Sequence, residues 1–167
     1  PVLPQKQKLS VQSVEAADTY GWHTVRVLEE HQGLPVYGGE AVLQVKGAQL
    51  RFIGRLFKVA NDLPEAVLSK TQALTRARED VKQHTKLLEL NKTDYLPNHL
   101  GKNELVVYPE GDQQGRLAYH IEFFPNYGDH WFYLIDALTG EVIKKHSQAC
   151  KLHHDHIEFF GGPATGV

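Results

Sequence analysis

The 167-residue sequence has little of several features that mark particular classes of protein. It contains one cysteine, Cys150, which excludes an internal disulfide framework. Its 18 Lys and Arg stand against 20 Asp and Glu, so it lacks the basic surplus that neutralises nucleic-acid phosphates. Its longest apolar run, residues 131–135, is far too short to span a membrane. We therefore expect no nucleic-acid partner and no membrane partner.

The motifs of common hydrolytic and phosphate-binding sites are also missing. No histidine is followed by glutamate, so the His-Glu-x-x-His pattern that puts two zinc ligands on one helix face is absent. The Gly-x-Ser-x-Gly elbow and the glycine-rich phosphate loops are absent as well, and no pair of carboxylates stands out. We therefore expect no catalytic residue and no cofactor in this chain.

The composition is that of a globular chain, with 41% hydrophobic and 23% charged residues. Residues 1–21 are polar and lack periodicity, and we expect an N-terminal arm there. From residue 22 the pattern changes, because Val25 and Val27 alternate with polar neighbours at the period of a half-buried strand. A loop at 32–39, a second strand around 41–45 and a third strand over 50–56 are predicted to follow. Residues 61–64, Asn-Asp-Leu-Pro, are the candidate domain boundary.

One helix and two hairpins are predicted between residues 63 and 147. Ser69 and Gln72 have capping-box spacing, and apolar residues follow at helical intervals, which predicts an amphipathic helix over 69–85 with a solvated charged face. Strands are predicted at 105–108, 116–124, 131–136 and 141–146, separated by turn-rich segments. The predicted fold class is therefore α+β, with two small subdomains that each hold an antiparallel β-sheet, followed by an extended C-terminal tail.

The tail, residues 148–167, follows no regular pattern but has two unusual features. The sequence His-Ile-Glu-Phe-Phe of residues 120–124 recurs at 156–160, and the second copy could form a last strand of this chain's own sheet or fill an edge or cleft elsewhere. The cluster His153, His154 and His156 could bind a metal ion, although its spacing matches no standard structural site. The alternatives are an exposed polar linker, or Cys150 acting as a thiolate ligand to a partner's zinc.

Two stretches of the chain resemble a known family. Residues 23–39, which include Gly33-Leu34-Pro35-Val36-Tyr37-Gly38, resemble the fungalysin/thermolysin propeptide domain, where a strand leads into a Gln-Gly-x-Pro-Val-x-Gly loop. Residues 131–143 resemble the second hairpin of a PepSY domain, and the predicted helix lies where that domain's helix would precede it. The resemblance divides the chain into an arm at 1–21, a propeptide-like domain at 22–62, a PepSY-like domain at 63–147 and a tail at 148–167 that leads to a processing junction.

The resemblance implies the pro-region of a secreted thermolysin-like zinc metalloendopeptidase that acts as intramolecular chaperone and inhibitor. The chain itself would not be an enzyme, and the catalytic zinc and structural calcium would belong to the catalytic domain. That domain would be joined covalently before cleavage and non-covalently after it. Export would pass through the periplasm in a Gram-negative host, with the signal peptide already removed or not included. The alternative is a free-standing secreted or periplasmic PepSY-type binding module without a protease of its own.

The resemblance also implies two contact regions for the catalytic domain. One consists of exposed strand faces together with a loop formed by Gly33, Leu34, Pro35, Val36 and Tyr37. The other is the tail, which would enter or approach the protease cleft with residues Ile157, Phe159, Phe160, Gly161, Gly162, Pro163, Ala164, Thr165, Gly166 and Val167.

Overall fold

A computed structural model describes residues 7–88, 100–111 and 113–148 of the chain. These residues form eight strands and one helix, which confirms the α+β class. The elements are β1 Gln7–Glu15, β2 His23–His31, β3 Leu34–Lys46, β4 Gln49–Gly54, α1 Lys70–Val81, β5 Leu100–Glu110, β6 Gln114–Phe123, β7 Trp131–Asp136 and β8 Val142–Ser147.

The strands form one mixed sheet with two antiparallel halves. The spatial order is β1-β2-β3-β5-β6-β7-β8, and β4 pairs with β3 outside this path. We call β1–β4 the first half-sheet and β5–β8 the second half-sheet. The two halves meet where β3 runs parallel to β5, at the pairing of Val36 with Val107. The two predicted antiparallel sheets are therefore present, but they are continuous with each other.

Apolar packing and hydrogen bonds hold this junction together. Val36, Val59 and Val107 form a buried cluster there. The Asn61 side chain accepts a hydrogen bond from the Gly115 N–H at 2.6 Å and donates one to the Gly115 carbonyl at 2.9 Å. The segment predicted as a boundary thus packs tightly between the two halves.

Gly115 leaves no space for a side chain at the junction. A Cβ at this position would lie 2.6 Å from Val59 Cγ1 and 2.8 Å from Val107 Cγ1. We therefore expect Gly115→Ala to lower the free energy of unfolding by about 1–3 kcal/mol, the usual cost of overpacking a core. The matched control is Gly101→Ala, whose added Cβ would meet its nearest neighbour at an ordinary 3.5 Å. Urea denaturation compares the variants, and equal stability of the two would contradict this packing.

Helix α1 covers one face of the second half-sheet. Its N-terminus has the predicted capping box, with Ser69 as N-cap and Gln72 bonded back to the Ser69 backbone. Its buried residues Ala73, Ala77 and Val81 pack against β6 and β7 residues Leu117, Tyr119, Ile121, Phe123, Tyr133 and Ile135. The helix ends at Val81 rather than at residue 85, since the following turn is closed by the Gln83 N–H donating to the Asp80 carbonyl.

The sequence predicts that the charged face of α1 is solvated, but part of this face contacts the sheet. The Asp80 carboxylate accepts hydrogen bonds from the Tyr133 hydroxyl at 2.9 Å and from Lys145 Nζ at 2.8 Å. Burial acts to raise the pKa of Asp80, but these hydrogen bonds outweigh it and hold the pKa below its usual value. Asp80 therefore ties the helix to β7 and β8.

The N-terminal arm predicted at 1–21 is wrong for residues 7–15, which form β1. Strand β1 lies at an edge of the sheet, so little of it is buried and its hydrophobic alternation is weak. A register shift between Val11 and Ser13 also interrupts the period of two. The sequence of β1 therefore lacks the clear alternation of apolar and polar residues that would have predicted a strand.

The loop predicted at 32–39 is also wrong. A two-residue turn of Gln32 and Gly33, with φ of 52° and 80°, joins β2 to β3, and the strand already begins at Leu34. Pro35 pairs with Glu30 beside a register shift, where the missing N–H of proline is tolerated. The Gly and Pro content of this segment resembled that of a loop, although most of it is strand.

Candidate partner-binding surface

One face of the first half-sheet is apolar and has no helix over it in the described part of the chain. The pairing of Val14 with Val25, Val25 with Leu43, and Leu43 with Phe52 puts these side chains on the same face. The strands that helix α1 contacts substantially are β5, β6 and β7, all in the second half-sheet. We call this surface the open face; it consists of Val11, Val14, Val25, Leu43, Val45, Leu50 and Phe52.

Large apolar side chains of the open face are strongly exposed. Val11, Val14, Leu50 and Phe52 keep between 50% and 66% of their accessible surface. Contiguous apolar surface of this kind usually marks an interaction site in a folded protein. Burial increases only towards the middle of the half-sheet, where Ala41 is 3% exposed. The open face therefore has the chemistry of a surface that a partner covers.

The segment 55–60 closes the open face at the end nearest the junction. It is held by Glu29, which is fully buried and accepts hydrogen bonds from the Phe57 N–H at 2.7 Å and from Gln7 Nε2 at 2.8 Å. Gln7 Nε2 also donates to the Phe57 carbonyl at 2.7 Å. These bonds fix the segment against β1 and β2, and no other described segment covers the remainder of the face.

Burial makes Glu29 sensitive to pH. Desolvation raises its pKa, and the hydrogen bond from Phe57 only partly offsets this. Because the folded state then holds this proton more tightly than the unfolded state, we expect the contribution of Glu29 to the free energy of unfolding to fall as the pH rises above the usual value of 4.5. The pKa of His120 is lowered by burial, so His120 contributes a slope of opposite sign. Glu29→Gln should remove only the contribution of Glu29, since the amide does not ionise.

Thermal unfolding between about pH 4.5 and pH 8 measures the effect of Glu29. The loss of stability at acidic pH has another origin. Asp80 and Asp136 have lowered pKa values, and each stops stabilising the fold only as the pH falls through its own pKa. Parallel stability curves for the wild type and Glu29→Gln above pH 4.5 would contradict the role of Glu29.

The predicted contact loop lies at the junction rather than on a protruding loop. Gly33 is exposed in the turn, but Val36 is buried, and Leu34, Pro35 and Tyr37 are half-buried. The Tyr37 ring lies against those of His120 and Phe132, at centroid distances of 5.5 and 5.8 Å. A direct contact of this segment with a partner stays a prediction.

The predicted contact regions included exposed strand faces but did not identify the residues of the open face. The strand alternation in residues 23–27 and 41–45 already indicated apolar faces. The sequence predicts two sheets but only one helix. Because one helix can cover only one of these sheets, an uncovered sheet face could have been predicted. The other predicted contact region, residues 157 and 159–167, lies outside the described residues, as does the cluster His153, His154 and His156.

Within residues 7–88, 100–111 and 113–148, no group of three or more His, Cys, Asp or Glu side chains is placed to hold a metal ion. None of the described helices has the length and apolar character needed to cross a membrane.

Comparison with known families identifies the second half of the fold. Residues 67–146, which hold α1 and the second half-sheet, match the family described as peptidase propeptide and YPEB domain. This stretch, slightly less than half of the chain, therefore resembles a PepSY domain. Its core is the packing of α1 on β6 and β7, and the resemblance seen in the hairpin at 131–143 is thereby confirmed.

Thermolysin-type proteases are among the curated relatives and match between 78% and 84% of this chain. The chain is 30% identical over 137 residues to thermolysin of Alicyclobacillus acidocaldarius subsp. acidocaldarius, covering 78% of this chain and 24% of that protein. It is 28% identical over 134 residues to thermostable neutral protease NprT of Geobacillus stearothermophilus, with the same coverage. Bacillolysin of Brevibacillus brevis is 28% identical over 148 residues, covering 84% and 26%.

The chain thus spans about a quarter of the length of the curated relatives it matches. These matches confirm the predicted resemblance to the propeptide region of thermolysin-family precursors. Among solved structures, the C-terminal domain of Bacillus megaterium YpeB aligns with a TM-score of 0.41 and 16% identity, covering 83% of this chain and 56% of that one.

Proposed function

We propose that this chain is the pro-region of a secreted thermolysin-like zinc metalloendopeptidase and that it acts as intramolecular chaperone and inhibitor of the catalytic domain. The observation that carries the proposal is the open face, an apolar sheet surface. It lies beside a segment that matches the PepSY family, in a chain whose relatives are proteases of which it spans about a quarter. The chain contributes no catalytic residue, and the catalytic zinc and structural calcium belong to the catalytic domain.

The chaperone role follows from a rigid apolar surface offered to a partner that folds slowly. A catalytic domain with a high folding barrier folds faster if its transition state binds a prefolded surface. The hydrogen bonds at Asn61 and Glu29 hold the first half-sheet in place without the partner. The open face then receives apolar surface of the catalytic domain that water would otherwise contact.

The inhibitory role belongs to the tail. Ile157, Phe159 and Phe160 fill apolar subsites of the protease cleft, and Gly161 and Gly162 allow the backbone to approach the cleft closely. The tail is joined covalently to the catalytic domain before processing, at a junction near residues 161–167. After cleavage the two parts stay associated without a covalent bond.

The propeptide-like domain at 22–62 and the PepSY-like domain at 63–147 act together in this proposal. While both domains are tethered to the catalytic domain, their effective concentration relative to it is high. Even a contact of modest affinity is therefore formed in most molecules. The precursor is exported, and the complex forms outside the cytoplasm.

The direct test adds the purified chain to the mature protease encoded by the same gene. We expect inhibition of peptide hydrolysis that saturates at one chain per protease molecule, together with a stable complex in size-exclusion chromatography. Absence of both inhibition and complex formation would contradict the proposed function.

The alternative function is a free-standing secreted or periplasmic PepSY binding module. The family description favours keeping it, because it names YPEB proteins as well as peptidase propeptides. Sequencing the gene downstream of Val167 separates the two functions. A following domain with His-Glu-x-x-His supports the pro-region, whereas an immediate stop codon supports the module.

A further inference from the structure

Strand β4 has a free backbone edge. Lys46 pairs with Gln49 around the turn at Gly47, and Val45 with Leu50 is the next pair. Hydrogen-bonded and non-hydrogen-bonded pairs alternate from the closing pair of such a hairpin, so the N–H and C=O groups of Leu50 and Phe52 point away from β3. In the described part of the chain, β4 pairs with no strand other than β3.

The edge of β4 has fewer safeguards than the other outer edges of the sheet. Strand β1 carries a register shift and the ion pair of Lys8 with Glu30, and β8 carries Lys144 and Lys145. Such bulges and lysines normally prevent unwanted strand pairing. All six residues of β4 are exposed and it has no bulge, lysine or proline. Its apolar residues Leu50, Phe52 and Ile53 are at least 50% exposed.

The chain segment around β4 carries more positive than negative charge. Residues 40–61 contain the exposed Lys46, Arg51, Arg55 and Lys58 against a single carboxylate, that of Glu40, although the whole chain has a net charge of −2. Arg51 lies over the Trp22 ring at 4.0 Å from its centroid, towards β2 and away from the free edge, so the exposed cations at the end of β4 are those of Arg55 and Lys58. A strand that pairs here would therefore gain from carrying acidic residues.

From these features we propose that the outer edge of β4 receives an extended, acidic segment of the catalytic domain as an added strand. This inference rests on the proposed function. The catalytic domain is the chosen occupant because three quarters of each related precursor lies outside the matched region, and because Leu50 and Phe52 also belong to the open face. Backbone hydrogen bonds supply affinity, and the cations favour an acidic partner strand.

The experiment compares Leu50→Pro with Leu50→Ala in the full chain, by calorimetric titration against the mature protease. Both variants lose the leucine side chain, but only proline removes the outward N–H, which β3 does not use. We expect the Kd of Leu50→Pro to exceed that of Leu50→Ala by about tenfold, the effect of roughly one hydrogen bond with its unpaired partner. Raising the salt concentration should weaken wild-type binding.

Hydrogen exchange on the wild-type complex gives an independent measurement that does not depend on the folding of a variant. The amides of Leu50 and Phe52 should exchange at least about tenfold more slowly in the complex than in the free chain. Unchanged exchange there, or equal Kd values for folded Leu50→Pro and Leu50→Ala, would overturn the proposal while leaving protease binding intact. Slowed exchange without protease, in a self-associated form, would instead assign the edge to a second copy of this chain and overturn it too. Failure of the wild type to bind the protease at all would refute the proposed function itself.

Discussion

Phe52→Thr is expected to weaken binding of this chain to the mature protease by about 10- to 100-fold, the range for an aromatic anchor at the centre of an interface. Phe52 lies on the open face, across from Leu43. Covering its half-exposed ring removes apolar surface from water, whereas a threonine hydroxyl in the same place would have to give up its hydration. Threonine also keeps the β-branched character that strands favour, so the fold should persist.

The neighbouring residue gives a matched control. Ile53 is 58% exposed, against 50% for Phe52, and lies on the same strand, but its side chain points to the opposite face. Ile53→Thr should therefore change the Kd by less than about threefold. Surface plasmon resonance with both variants measures the difference, and equal losses would show that the open face is not the contact.

Removal of residues 149–167 is expected to abolish most of the inhibition while leaving the chaperone activity. The truncation leaves β8 complete, including the hydrogen bond from the Gln148 N–H to the His130 carbonyl. If the tail fills the cleft, its loss should raise the inhibition constant by about 100-fold or more, as expected for the loss of several anchoring side chains. The refolding yield of the catalytic domain should stay within about twofold, since the open face is intact.

Two triple variants of the full chain separate the apolar residues of the tail from its histidines. Replacing Ile157, Phe159 and Phe160 by alanine should reproduce most of the loss of inhibition. Replacing His153, His154 and His156 by alanine should leave the inhibition constant nearly unchanged. If instead inhibition survives the truncation, the inhibitory contact lies in the folded part of the chain.

The parts of the fold that the sequence predicts well are those with strong local signals. Ser69 and Gln72 predict the start of α1, because a capping box is formed by residues within a span of four. The alternation from Leu117 to Phe123 predicts β6 because one of its faces is deeply buried under α1. In both cases the determining interactions are close along the chain or regularly spaced.

The parts that the sequence does not predict depend on contacts between distant residues. The two half-sheets are joined by one parallel pairing, Val36 with Val107, which no local pattern reveals. The buried Glu29 would be read as an exposed charge, because the groups that satisfy it belong to Phe57 and Gln7, 28 and 22 residues away. The open face is visible in the strand alternation, but only the structure shows that α1 covers the other half of the sheet.

Refolding of the denatured catalytic domain tests the central claim most directly. The mature protease would be unfolded in guanidinium chloride and diluted into buffer with or without an equimolar amount of the separate chain, and native protease would be quantified after the chain is removed. The account predicts efficient recovery with the wild-type chain, a much lower yield with Phe52→Thr, and little recovery without it. Equal recovery with and without the chain would contradict the account.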